Sequence, residues 1–80
     1  MRIQEMIRQF IIDELLYGDS KKLTDETQLL DEGVFDSLGI LRMIEFIESQ
    51  FDVKVDAEDI NKRNFRSIDA IVDFVDDSTI

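Results

Sequence analysis

The sequence predicts an all-α domain of three main helices and a short one, with a long loop between the first and second helices. Three observations predict it. Proline is absent and only three glycines occur in 80 residues, so the chain lacks the residues that break helices. Apolar residues recur at intervals of three and four in three separate stretches. The one alternating stretch, FDVKV at 51–55, has no second strand to pair with, so it reads as an extended connector.

The first helix rests on Ile3, Ile7, Phe10, Ile11 and Leu15, which fall on one face, with Met6, Ile12 and Leu16 widening it. Gly18 is placed to end this helix, and Asp19-Ser20 continue the turn. Residues from Gly18 to Asp36 show no sustained period. A connection that long is either disordered or functional. Leu23, Leu29, Leu30, Val34 and Phe35 predict an anchored loop, with a short helical turn near Leu29.

The second helix begins at Ser37, after Asp36 as N-cap. Ile40, Met43, Ile44, Ile47 and Phe51 form its core stripe, with Phe46 at the edge. Leu38, Leu41, Arg42, Glu45 and Glu48 are left wholly or partly on the other side. Asp56 then caps a single turn through Ile60, and Asn61 to Arg66 read as a polar, basic loop anchored by Phe65. Ser67 caps a last helix in which Ile68, Ile71, Val72 and Val75 face inward, with Phe74 beside them. A frayed acidic tail ends the chain.

Eighty residues make one domain, 1–80, with a small core. The 44% hydrophobic content suffices to fold it, and no apolar run approaches the length of a membrane span. A net charge of −10 disfavours nucleic acid and anionic lipid and favours partners with basic surfaces. The charge is unevenly placed: residues 19–36 carry six acids against two lysines, and residues 67–80 carry four aspartates and no base. Without cysteine or a signal peptide pattern, the chain is expected to be a cytoplasmic monomer.

Enzyme chemistry is not visible. With no His there is no imidazole base and no Ser-His-Asp arrangement; with no Cys there is no thiol nucleophile or thiolate metal site. No segment has EF-hand spacing, and no metal is expected. What remains is a serine opening a helix after a long loop, Gly33-Val34-Phe35-Asp36-Ser37-Leu38. Alone, that tripeptide Asp36-Ser37-Leu38 is an ordinary helix start. Its placement makes it a candidate site.

The segment Leu29-Leu30-Asp31-Glu32-Gly33-Val34-Phe35-Asp36-Ser37-Leu38 resembles the attachment segment of acyl carrier proteins. The likeness runs along nearly the whole chain, through Phe51-Asp52-Val53 and Phe65-x-Ser67-Ile68-x-Ala70-Ile71. It implies a four-helix bundle of acyl-carrier type with a short third helix. It also implies that Ser37 carries 4′-phosphopantetheine, transferred from coenzyme A by a separate phosphopantetheinyl transferase, with Asp36 and Leu38 flanking the attachment. Cargo would ride as a thioester on the arm, and no catalysis would be performed by the chain itself. Partner enzymes (a loading ligase, then transferases or synthases with basic docking surfaces) would meet Leu38, Leu41, Arg42, Glu45 and Glu48.

Two departures matter. Gly39 and Arg42 stand where fatty-acid-synthesis carriers usually show acids, and the 51–67 stretch is slightly longer and carries four bases. These point away from housekeeping fatty-acid partners and towards a specialised lipid, secondary-metabolite or aminoacyl-transfer system, while Phe35-Asp36-Ser37-Leu38 tilts the cargo towards acyl groups. An aminoacyl or peptidyl carrier is the alternative within the class, although such domains usually show a Gly-Gly-x-Ser motif. From another class, an acidic helical interaction module would not need Ser37 at all.

Overall fold

The computed structural model describes residues 3–16 and 23–78. Helix α1 is α-helical over Ile3–Phe10 and widens into a π-helical turn over Ile11–Leu15, closed by Leu16 N–H donating to the Ile11 carbonyl at 2.9 Å. Helix α2 spans Ser37–Phe51, α3 Lys62–Phe65 and α4 Ile68–Ser78, with a 3₁₀ turn at Ala57–Asp59. No strand occurs among the described residues. The all-α expectation with a short third helix and a long first loop holds. Gly18, Asp19 and Ser20, expected to end α1, lie outside the described residues.

The expected stripes make one buried cluster. Ile7 and Ile11 of α1, Met43, Ile44 and Ile47 of α2, and Ile68, Ile71 and Val75 of α4 are all buried in it. Ile40, Phe51, Val72 and Phe74 are only partly buried at its rim. Phe46 bridges α1 and α2: its ring lies 4.4 Å from that of Phe10 and 6.0 Å, edge-on, from that of Phe51. No described helix is long and apolar enough to cross a membrane.

The long loop is tied down at several points. Leu23, Leu29 and Phe35 are buried, with Leu30 and Val34 packed against them. Its backbone is held as well: Leu29 N–H donates to the Arg66 carbonyl at 2.7 Å, and Asp69 N–H to the Asp25 carbonyl at 3.1 Å. Half-buried Arg8 donates to the Leu23 carbonyl at 3.1 Å and pairs with Asp25 at 2.6 Å, while Gln4 also donates to Asp25. The Arg8–Asp25 contact is a charge-assisted hydrogen bond, stronger than a neutral one, and it is partly shielded from water.

One local expectation holds and two are corrected. The single turn from Asp56 through Ile60 forms as a 3₁₀ turn at Ala57–Asp59 with Asp56 as its N-cap, and a short α-helix, α3, follows it at Lys62–Phe65. Asn61 starts it by accepting the Asn64 N–H at 3.0 Å, so the expected basic loop is a capped helical turn. The tail is helical through Ser78, because Ser67 Oγ accepts the Ala70 N–H at 3.2 Å and the apolar face continues to Val75. The connector expected at 51–55 starts one residue later, because Phe51 still belongs to α2, and residues 52–56 form neither helix nor strand. Asp52 enters it in the left-handed region at φ 54, a conformation Asp tolerates better than most residues.

Candidate functional site

The site is built by the end of the loop. Phe35 is buried and its N–H donates to the Leu29 carbonyl at 3.1 Å, as the Val34 N–H does at 3.0 Å. Gly33 turns the chain at φ +77, a conformation that strains residues with a Cβ. The backbone thus arrives anchored, and the next residues project into solvent.

Asp36 is the N-cap of α2: its Oδ1 accepts the Gly39 N–H at 2.7 Å, and its carbonyl accepts the Ile40 N–H at 3.0 Å. Ser37 is the first helical residue and is exposed. Among the described residues, the N–H groups of Ser37 and Leu38 have no acceptor. They point out of the positive end of a 15-residue helix, where an anion is favoured. An exposed hydroxyl beside two free donors fits a phosphodiester. No base lies in the helix turn that holds Ser37, so its activation falls to a modifying enzyme.

Asp36→Ala removes the cap and is expected to cost about 1 kcal/mol, or about 4–8 °C in thermal midpoint for a domain of this size. A melt followed by circular dichroism checks it. An unchanged midpoint would show that the cap contributes nothing to the helix start.

Gly39 is explained by packing. It is buried, and a Cβ there would lie 3.2 Å from Asp36 Oδ1 and 3.6 Å from Leu15 Cδ2. A Cβ there would be tight against the capping carboxylate, which would have to give by a few tenths of an ångström, and in ordinary contact with Leu15 at the π-helical end of α1. The helix-propensity cost of glycine is the cost of that close approach.

Along α2, Leu38 and Leu41 are 64% and 56% exposed, so neither packs into the core. Glu45 is exposed on the same side. Glu48 is exposed too, but its Oε2 accepts the Val55 N–H at 2.9 Å, so it also holds the connector against α2. Arg42, the one base on α2, reaches Glu14 of α1: its guanidinium lies 3.4 Å from the Glu14 carbonyl and 3.5 Å from the carboxylate. Both side chains are nearly half exposed, and a pair that long in water is worth little. Sequence reading did not single out Glu14 or Ile60. Ile60 is the third large apolar side chain left exposed, at 39%. A single-turn element has no periodic face that could have flagged it.

The family model for a phosphopantetheine attachment site matches residues 5–75. D-alanyl carrier proteins of Streptococcus thermophilus and Streptococcus gordonii are 37% and 35% identical over 65 residues, covering 81% of this chain and 81% of each relative. A chain from a structure described as "Crystal structure of FAD-dependent dehydrogenase" superposes with a TM-score of 0.81 at 29% identity, covering 86% of this chain and 97% of that one. These comparisons lend no support to a place in fatty acid biosynthesis, and the curated relatives carry an aminoacyl group. This chain belongs to the phosphopantetheine carrier family: it is a non-catalytic carrier whose covalently attached 4′-phosphopantetheine holds cargo as a thioester for transferases and ligases that act on it.

Proposed function

We propose that residues 1–80 form a single carrier domain, that Ser37 is the attachment residue, and that the cargo is an amino acid loaded in the cytoplasm by an ATP-dependent ligase. The observation that carries the site is the exposed Ser37 hydroxyl at the open N-terminus of α2, with free N–H groups beside it. The likeness to D-alanyl carriers supports the cargo class. The arm supplies a thiol that this cysteine-free chain lacks. The residues of the chain expose the hydroxyl, complement the phosphate and leave the arm free.

The loaded form should accept D-alanine from a D-alanine–carrier ligase and ATP, read as one alanyl group in the intact mass. A chain that takes up phosphopantetheine but is charged by no aminoacyl ligase, while accepting acyl groups from an acyl ligase, would reverse the cargo assignment.

Docking is assigned to the exposed face of α2, with Leu38 and Leu41 as apolar contact and Glu45 and Glu48 as steering charge. Arg42 sets specificity there by reversing one charge. Arg42→Glu is expected to raise the loading rate by enzymes with basic docking surfaces about tenfold at low ionic strength, with the gain shrinking as salt is added. Glu14→Gln serves as control, since it breaks the same ion pair and leaves Arg42 in place. Equal effects from both changes would make Arg42 a support for α1 and not a docking residue.

A second reading of the downstream step follows from the flavoenzyme structure. The covered chain there is no longer than this one, so it is of carrier size. A FAD-dependent dehydrogenase that oxidises the tethered cargo, with reduction of its flavin, would be the next partner. Bleaching of flavin absorbance on adding charged carrier, but not uncharged carrier, tests that step.

A further inference from the structure

Among the described residues, the centre of the core against the inner face of α2 is closed. Met43 and Ile47 on the inner face of α2 have no accessible surface, nor do Leu29, Ile68, Ile71 and Val75. A side chain bordering a void wide enough for water shows accessible surface, even when the void is sealed. These side chains therefore line no space that would take a hydrocarbon chain. Phe65, 1% exposed, is the largest of the fully buried side chains and belongs to the same cluster, its ring 6.0 Å from that of Phe74.

The element that carries Phe65 is held from several sides. Asn64 Nδ2 donates to the Asp59 carbonyl at 2.8 Å and the Arg66 carbonyl accepts the Leu29 N–H at 2.7 Å, while the exposed Lys62–Asp31 pair at 3.4 Å adds little. Glu48 fastens the 52–56 connector to α2. Protein interiors pack like crystals, so a guest chain must displace its own volume. Here that means lifting Phe65, and α3 with it, against these ties.

We infer that Phe65 is a plug that shuts the interior of this carrier to cargo, so that the cargo stays in solvent and is short and polar, of the aminoacyl class. The surface charge agrees. An aminoacyl thioester carries an α-ammonium, which a chain of net charge −10 attracts and which burial would strip of water. A long hydrocarbon tail would remain exposed, with Leu38, Leu41 and Ile60 as the large exposed apolar side chains among the described residues. This inference rests on the attachment at Ser37.

The test loads the full apo chain with non-hydrolysable amide analogues of alanyl- and octanoyl-coenzyme A, using a phosphopantetheinyl transferase and Mg²⁺. Methyl NMR shifts of Met43, Ile44, Ile47, Ile68 and Val75 are compared between the two forms, together with their thermal midpoints. The expected result is that core methyls and midpoint are the same in both forms. Phe65→Ala should then let the octanoyl group in, shifting those methyls and raising its midpoint above that of the alanyl form. If that variant does not fold, Phe65→Leu replaces it. Core shifts with octanoyl on the unaltered chain would overturn the inference. So would an octanoyl group that stays outside in the folded Phe65 variant. Failure of both analogues to load would instead strike the attachment at Ser37, and the inference would fall with it.

Discussion

Ser37→Ala is expected to abolish phosphopantetheine uptake completely while leaving the fold intact. The change removes the one atom through which the arm bonds, so the loss is all or none. It costs the fold little, because Ser37 is exposed and opens α2, where alanine is a good helix former. Intact mass after incubation with coenzyme A, Mg²⁺ and a phosphopantetheinyl transferase reads the first half, and a thermal melt reads the second. One phosphopantetheine added to the wild type and none to the variant is the expected pair. Equal modification of both would move the attachment elsewhere. Ser67 is a poor substitute, since it is 5% exposed and its hydroxyl caps α4. The interaction-module reading makes the opposite prediction: no modification of either protein.

Ile47→Ala should have the largest effect on stability. Ile47 has no exposed surface and lies in the middle of the α2 core stripe. Truncating such a residue costs about 2–5 kcal/mol, because transferred methyl groups are lost and a cavity is left behind. At roughly 0.05–0.15 kcal/mol per residue, an 80-residue domain has about 4–12 kcal/mol in all, so the loss is a large share of its stability. The thermal midpoint should fall by about 10 °C or more. Leu41→Ala, on the same helix but 56% exposed, should stay within about 0.5 kcal/mol of the parent. The pair separates the two faces of α2 by measurement. A large loss from Leu41→Ala would place that leucine in the core and remove it from the docking face.

The parts legible in the sequence are those specified by near neighbours. Met43, Ile44 and Ile47 announce their face because a helix returns to the same side every three or four residues. Asp36 reaches Gly39 three residues on, so the start of α2 could be read directly, and Ser67 reaches Ala70 in the same way. The position of α3 could not be read. Four residues make no period, and the Asn61 cap looks like any loop asparagine until Phe65 is seen to be buried.

The site divides along the same line. Sequence alone determined the helical class, the serine at the mouth of α2, the apolar and acidic residues outside the core stripe, and the absence of any imidazole or thiol chemistry. Tertiary structure decided the rest. Arg42 meets Glu14 across 28 residues, Glu48 is bound to Val55, Leu29 is tied to Arg66, and Gly39 packs close to Leu15. Each of these joins segments that no local period connects. Whether Phe65 is a loop anchor or the plug of a closed interior depends on how α3 and α4 pack, because burial is a property of the whole core and not of the segment that supplies the side chain.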